Sequence, residues 1–475
     1  MTMEENWEVR HNCGVVVAHT LEDTYEMLRG LQHRGREAAG IAAISDNNIT
    51  VVKWAGRMRD FDITDLYRIL ADSAHTFLGH VRYATSGRKE KILQDAHPHV
   101  IGGKILDRKT HIIIENPEVV GIHNGQVDES FFSDLEQKVF ATDCDTERLL
   151  YYYREKGARD LLRRIPGAYT LAIADRRQRG VMVMRDRTGI KPGIIWKKDG
   201  KYGIASEDCA LEGRNASFVE DLMPGVLYFL GPHGSPTKEQ IHMQGMQGVE
   251  RACFFEWGYI AHHGSSLNGT HVTRLRQALG EALAVEFNPK EYDYVTFLPR
   301  CPEAAAERYA ERTGIPFLPV FYKMRNERAF QGSTKGDRAD SINGNLYLIP
   351  EVLNKLRGKR VILVDDSIIR GNNVGKAKRL LYEEAGVAEA VLLSYTPPIG
   401  IVGQDGIERG CMFGVDMPPT DTFIARNRTF DDISAKVGMR VVYLSVEGML
   451  RAFEKVGLPR TSLCTYCIGG EYPFK

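Results

Sequence analysis

The string VILVDDSIIRGNN, Val361 to Asn373, restricts what this chain can fold into more than any other stretch of it. Four apolar residues predict a buried strand, Asp365 and Asp366 close it, and a short loop from Ser367 to Asn373 opens a helix. At the carboxyl end of a parallel strand, loop N–H groups and the following helix N-terminus form a cradle for phosphate. The carboxylates would repel a phosphate. They suit the hydroxyls of a ribose, or a Mg²⁺ held between ribose and pyrophosphate. A strand, an acid pair and a glycine loop also describe a solvated strand end, but the thirteen residues together are far more specific.

The surroundings fit a parallel sheet. From about Gly248 onward, strands and helices alternate. "YDYVTFLP" precedes "PEAAAERYAERTG", with Pro302 at the helix start and Gly314 at its end. After the acid pair, Val374, Ala377, Leu380, Leu381 and Tyr382 recur at helical spacing, Gly386 stops the helix, and "EAVLLSYTPP" follows. That alternation marks a parallel α/β sheet. The first half is different, with many short strands and few helices. Leu21, Tyr25, Leu28 and Leu31 share one helical face, Asp46-Asn47-Asn48 separates two strand runs, and Gly157 stops a helix over "DTERLLYYYREK". Sheet layers covered by helices are expected there.

A chain of 475 residues suggests two or three domains. We place one unit at 13–248 and another at 249–475, with a leader at 1–12. Basic and acidic residues balance at 62 each, which leaves no polyelectrolyte footprint for nucleic acid or an anionic membrane. No apolar run is long enough to span a bilayer. The leader contains Glu4, Glu5 and Glu8 and no apolar stretch, so it is not a secretory signal. Eight cysteines in a chain of this size suit a reducing cytoplasm, and their gathering near one end suggests metal or catalysis.

Cys13, ahead of Gly14 and the run Val15-Val16-Val17, has two readings. In a core it is a small hydrophobe. As the first residue of a processed chain it would be a nucleophile carrying its own base. An α-amino group has a pKa of about 8 and is poised near neutrality, whereas an amide nitrogen is not basic.

The acid-pair string resembles the signature of type I phosphoribosyltransferases, and in the form VDDSIIRG that of glutamine phosphoribosylpyrophosphate amidotransferases. "LQHRGREAAGIA", "GHVRYATSG", "GIHNGQ" and "TDCDTERLL", in that order behind Cys13-Gly14, resemble the blocks of N-terminal-nucleophile glutamine amidotransferases. The resemblance runs from Cys13 to Lys475. It implies an α/β/β/α sandwich followed by a type I phosphoribosyltransferase parallel-sheet domain. It further implies that Met1–Asn12 is a propeptide and Cys13 the nucleophile, with Asn124 and Gly125 as the oxyanion hole. Arg82 would hold the glutamine α-carboxylate and Asp145 its ammonium, with Arg34 beside the nucleophile. Asp365 and Asp366 would take the ribose hydroxyls or Mg²⁺, and Ser367, Arg370, Gly371, Asn372 and Asn373 the 5′-phosphate. The family usually has threonine at one or both of the last two positions, and asparagine can still donate there.

"SLCTYCIGGEYP" ends the chain with a C-x-x-C pair, which alone suits zinc, iron–sulfur or a redox pair equally. With Cys253 and Cys411, Cys464 and Cys467 match the places where the propeptide-bearing subgroup of the family carries a [4Fe–4S] cluster; zinc is the rival. Cys144, Cys209 and Cys301 match none of these places and are expected to be buried thiols.

Three places depart from the family. These are His262-His263, the alanines Ala304 and Ala305 after Pro302-Glu303, and the lid segment RNERAFQGSTKGDR, Arg325 to Arg338. All three fall after residue 248, in the half that carries the acid-pair string. The expected activity is therefore amination of phosphoribosyl pyrophosphate with glutamine nitrogen, giving phosphoribosylamine, glutamate and pyrophosphate. Two rivals stand beside it: a glutaminase feeding another phosphosugar, and a regulatory homologue whose phosphoribosyl site is not catalytic. Feedback nucleotides and a homo-oligomer, dimer or tetramer, are expected partners.

Overall fold

The computed structural model describes residues 13–474 apart from 71–72, 84–90, 128–131, 133–139, 143, 233, 242–249, 324–345, 412–416 and 421. The leader Met1–Asn12 and the lid segment Arg325–Arg338 therefore lie outside the described residues, as do the side chains of Asn372 and Asn373.

The first half holds two antiparallel sheets. A nine-stranded sheet is centred on strands Gly14–Ala18, Thr76–Arg82 and Ala38–Ile44. A six-stranded sheet is centred on Gly167–Asp175 and Val119–Val127. Side chains along a strand alternate between faces, and three separate cores result. Val15, Val17, Leu78 and Val51 meet Ile122, Ala172 and Val183 between the sheets. Val16, Ala18 and Ile41 pack outward on Leu21, Leu28 and Leu31 of the first helix region. On the far side, Leu171 and Ile173 pack on Leu149, Leu150, Leu161 and Leu162. These residues give four layers, the α/β/β/α sandwich expected.

Local chemistry sets the helices. Thr20 caps Leu21–Gly30 by accepting from the Asp23 N–H, which satisfies a donor the helix cannot. That helix lies so close to the sheet that a Cβ on Gly79 would come within 2.6 Å of Leu28 Cδ1. Gly157 closes helix Asp145–Lys156 with a positive φ of 83°, as its place in the sequence suggests.

The second half is a parallel sheet in the order Tyr294–Phe297, Arg360–Asp365, Glu389–Ser394, Arg440–Tyr443. Ile362 and Val364 face one core and Val361 and Leu363 the other, so the sheet is covered on both faces. Helix Glu303–Thr313 follows Pro302 and ends at Gly314 with φ 75°, and helix Asn372–Arg379 follows the acid pair. The second helix continues through a π-helical turn, Leu380–Glu384, before Gly386. Among the described residues, no helix is long and apolar enough to cross a membrane.

Candidate functional site

Cys13 lies immediately ahead of strand Gly14–Ala18 and is fully buried. Its backbone N–H donates to Asn124 Oδ1 at 3.0 Å, across 111 residues of sequence. Asn124 is held in strand Val119–Val127 opposite Thr170, and its Nδ2 is buried with no hydrogen-bond partner among the described residues. Next to it, Gly125 has φ 150°, and a Cβ there would stand 1.8 Å from the Ala168 carbonyl oxygen. Only glycine fits this approach. Burial pushes the Cys13 thiol up to about 11, against the pull of the Tyr83 backbone and of Arg82, Lys191 and Arg34. A thiol so placed is protonated at neutral pH and needs a base.

Arg82 ends strand Thr76–Arg82, 2% exposed. Its nearest carboxylate oxygen, Asp95 Oδ2, is 3.7 Å from Nη2, and its Nε is buried with no partner among the described residues. Asp145 is the first residue of helix Asp145–Lys156, where the helix dipole favours a carboxylate. It accepts from the Val127 N–H at 3.1 Å and lies 3.5 Å from His123 Nδ1.

Arg34 does lie beside the nucleophile, but its guanidinium is occupied by protein. Nε donates to the Cys13 carbonyl at 3.0 Å, Nη1 to Glu207, and Nη2 to both Glu256 oxygens at 3.2 and 3.1 Å. The side chain thus bridges the Cys13 carbonyl and two carboxylates. Lys191 Nζ also reaches Glu256, at 3.4 Å. All four groups are buried. Burial works against the charge on Glu207, yet His33 and Arg34 hold it well below the usual carboxylate range. Burial likewise opposes the charge on Arg34, and Glu256 and Glu207 outweigh it. Sequence reasoning missed Glu207, Glu256 and Lys191. Removing one partner of such a network leaves an uncompensated buried charge, at a cost of about 3–5 kcal/mol. Glu256→Ala should therefore lower the midpoint of denaturant unfolding markedly, whereas an exposed Glu→Ala should not.

The second site lies at the carboxyl end of strand Arg360–Asp365. Asp365 and Asp366 are 7% and 8% exposed. Burial raises both carboxyls, and Asp365 is raised further by the charge of Asp366 beside it. The Asp366 N–H donates to Asp365 Oδ1 at 2.9 Å and the Ser367 hydroxyl to Asp366 Oδ2 at 3.2 Å. Thr396 holds the turn from the next strand, its hydroxyl donating to the Asp366 carbonyl at 2.8 Å. Arg370 is exposed, and Gly371, with φ 84°, caps the helix that Asn372 and Asn373 open. Ala305, one of the two alanine departures, lies in helix Glu303–Thr313, fully buried against Gly280, where a Cβ would meet its carbonyl oxygen at 2.1 Å. His262 is bound into the first site, its N–H donating to Glu207 at 2.9 Å.

Four cysteines gather between the C-terminus and the domain body. Cys253 stands directly opposite Cys464 in a short parallel pairing. Burial raises the Cys253 and Cys467 thiols well above their ordinary value; Cys464 and Cys411 raise Cys253 further, and Cys411, Cys253 and Cys464 raise Cys467. Burial pushes Cys464 up to about 12, with Cys411 adding to it. Gly400 donates to the Cys467 carbonyl at 2.9 Å, tying in the last turn. Of the remaining thiols, Cys144 and Cys209 are buried as expected, while Cys301 is partly exposed.

Comparison with known proteins adds the lineage. The glutamine amidotransferase domain family matches residues 64–258. The amidophosphoribosyltransferase of Archaeoglobus fulgidus is 31% identical over 466 residues, covering 94% of each chain. The chain belongs to the amidophosphoribosyltransferase family. The Bacillus subtilis amidophosphoribosyltransferase is 29% identical, over 95% of this chain and 90% of that one. Among solved structures, the glutamine phosphoribosylpyrophosphate amidotransferase of B. subtilis complexed with ADP and GMP superposes with a TM-score of 0.81 at 27% identity. It covers 97% of both chains. A structure described as the allosteric regulatory enzyme of purine biosynthesis superposes with a TM-score of 0.80 at 28% identity, over 97% of this chain and 96% of that one. The activity that goes with this family is glutamine-dependent amination of phosphoribosyl pyrophosphate in purine biosynthesis.

Proposed function

We propose that the two sites divide this reaction between them, with Cys13 as the nucleophile that releases ammonia from glutamine. The observation that carries this reading is the contact between the Cys13 nitrogen and Asn124 Oδ1, with the Asn124 Nδ2 left over as a donor. Once Met1–Asn12 is removed, that nitrogen is an amine. It takes the thiol proton, and sulfur attacks the carboxamide carbon. The oxyanion that forms is met by Asn124 Nδ2 and the Gly125 N–H. Collapse expels ammonia, which leaves with a proton from the α-ammonium, and water then hydrolyses the thioester to glutamate. The unpartnered Arg82 Nε suits the α-carboxylate of glutamine and Asp145 suits its ammonium.

At the second site, Asp365 and Asp366 take the ribose hydroxyls or a Mg²⁺, and the loop from Ser367 through Arg370 and Gly371 to Asn372 and Asn373 takes the 5′-phosphate. The raised carboxyls fit this role, because a cation or hydroxyl donors would relieve the repulsion between them. Losing a charge-assisted contact costs roughly 1.5–3 kcal/mol, or about 10- to 150-fold in affinity. Asp365→Asn and Asp366→Asn should each weaken phosphoribosyl pyrophosphate binding within that range, measured by calorimetry. Unchanged binding in both variants returns the pair to an ordinary strand end. Purine nucleotides of the kind named for the B. subtilis structure are proposed as regulators of this site.

Cys253, Cys411, Cys464 and Cys467 fit a [4Fe–4S] cluster, since four thiols without histidine is the donor set that cluster uses. When bound, it would tie the C-terminal turn to the domain and hold Cys253, Cys464 and Cys467 as thiolates against the burial that raises them. Its role is structural. Anaerobically purified protein should be brown, with about four irons and four sulfides per chain. Removal of iron by chelator should lower thermal stability more than it changes turnover. Colourless protein with one zinc overturns the cluster.

A further inference from the structure

Behind the glutamine-facing residues lies a layer of buried histidines that no step of the reaction uses. His80 and His97 stack with ring centroids 4.0 Å apart, and His99 meets His97 edge-on at 4.5 Å. Cys144 adjoins this layer from the N-cap of helix Asp145–Lys156. One ligand atom each from His97, His99 and Cys144 lies within 4.8 Å of the others, and all three residues are buried. The Cys144 thiol also lies 3.5 Å from Thr146 Oγ1 and 3.7 Å from Asp145 Oδ1.

We propose that His97, His99 and Cys144 form a binding site for a divalent transition cation of the zinc class. Tetrahedral zinc takes nitrogen at about 2.0 Å and sulfur at about 2.3 Å, which sets its ligand atoms about 3.3–3.6 Å apart. The three ligand atoms stand within 4.8 Å of one another, so binding would draw them together by up to about 1.5 Å. The supporting contacts are those of a metal site. His99 Nε2 lies 3.3 Å from the Asp95 carbonyl oxygen, and donation there leaves Nδ1 as the ligating atom. His97 Nε2 lies 2.8 Å from Thr146 Oγ1, an equivalent orienting partner. Charges of both signs surround the three residues, Asp95, Asp145 and Glu147 beside Lys53 and Arg82, with Lys53 Nζ donating to the Gln94 and Ala96 carbonyls at 2.7 and 2.9 Å. Three protein ligands leave a fourth position open, unlike the closed four-ligand sets of structural zinc sites. The bound ion would join strand His99–Ile101 to the start of the helix that presents Asp145.

Cobalt reports on such a site without any assay of turnover, so failure here is separate from failure of the catalytic reading. Full-length protein stripped of loosely held metal is titrated with Co²⁺, and the same is done with Cys144→Ser and His99→Gln. The expected result is a thiolate-to-cobalt band in the near ultraviolet, present in the parent and absent from Cys144→Ser, with one equivalent fewer bound. His99→Gln should weaken cobalt binding at least tenfold, and Zn²⁺ should displace the band. Cobalt held by the other four cysteines is common to all three proteins and cancels in the difference. Near-ultraviolet circular dichroism confirms that each variant is folded. Identical titrations in the parent and a folded Cys144→Ser or His99→Gln overturn the proposal.

Discussion

Cys13→Ala abolishes glutamine-dependent turnover and leaves turnover with added ammonia in place. In the proposed reading the thiol serves only the release of ammonia, and the amination step would draw on Asp365, Asp366 and the loop after them in the second half. The same account fixes the first residue of the working enzyme. An amide nitrogen at position 13 cannot take the proton of a thiol held at about 11 by burial. Intact mass should therefore show active chains beginning at Cys13. Fully active protein that retains Met1–Asn12 would remove the base from the mechanism.

Asn124→Ala has the next largest effect. Loss of one oxyanion donor lowers kcat by about 10²- to 10³-fold. The same change also removes the acceptor of the Cys13 nitrogen. Glutamine kcat should fall by at least that factor with a smaller change in KM, because the donor acts on charge that develops only in the transition state. Asn124→Asp separates the two contributions. It keeps an oxygen for the Cys13 nitrogen and loses the donor, so its kcat should stay near that of the alanine variant. A kcat restored to the parent value in Asn124→Asp would place Asn124 outside the oxyanion hole.

The sequence showed the fold where burial imposes a period. Val15-Val16-Val17 alternates between two cores, and Ile362 and Val364 oppose Val361 and Leu363 in the parallel sheet. Pro302, Gly157 and Gly314 punctuate helices where backbone chemistry requires it. The positions of Cys13 and Asn124 were legible only through the order of blocks, since 111 residues separate them. The ion network around Arg34 was not legible, because Glu207 and Glu256 lie 173 and 222 residues away and a single carboxylate carries no periodicity. A signal existed for Glu256. It sits in "ACFFEWGY", and an acid inside an aromatic run must find a buried partner. The histidine layer was not legible, because His97 lies in the bend ahead of strand His99–Ile101 and no strand period joins the two. The four cysteines were assigned by resemblance, and chain spacing alone would have left only the C-x-x-C pair.

The central claim is that nitrogen released at Cys13 reaches the sugar bound at Asp365 and Asp366 within one chain. Glutamine labelled with ¹⁵N in its amide is supplied with phosphoribosyl pyrophosphate and Mg²⁺, in the presence of excess unlabelled ammonium at a pH where little of it is free ammonia. The account predicts one glutamate and one pyrophosphate per turnover, with the label retained in the aminated product. Glutamate formed without pyrophosphate, or a product carrying the unlabelled nitrogen of the medium, would contradict it.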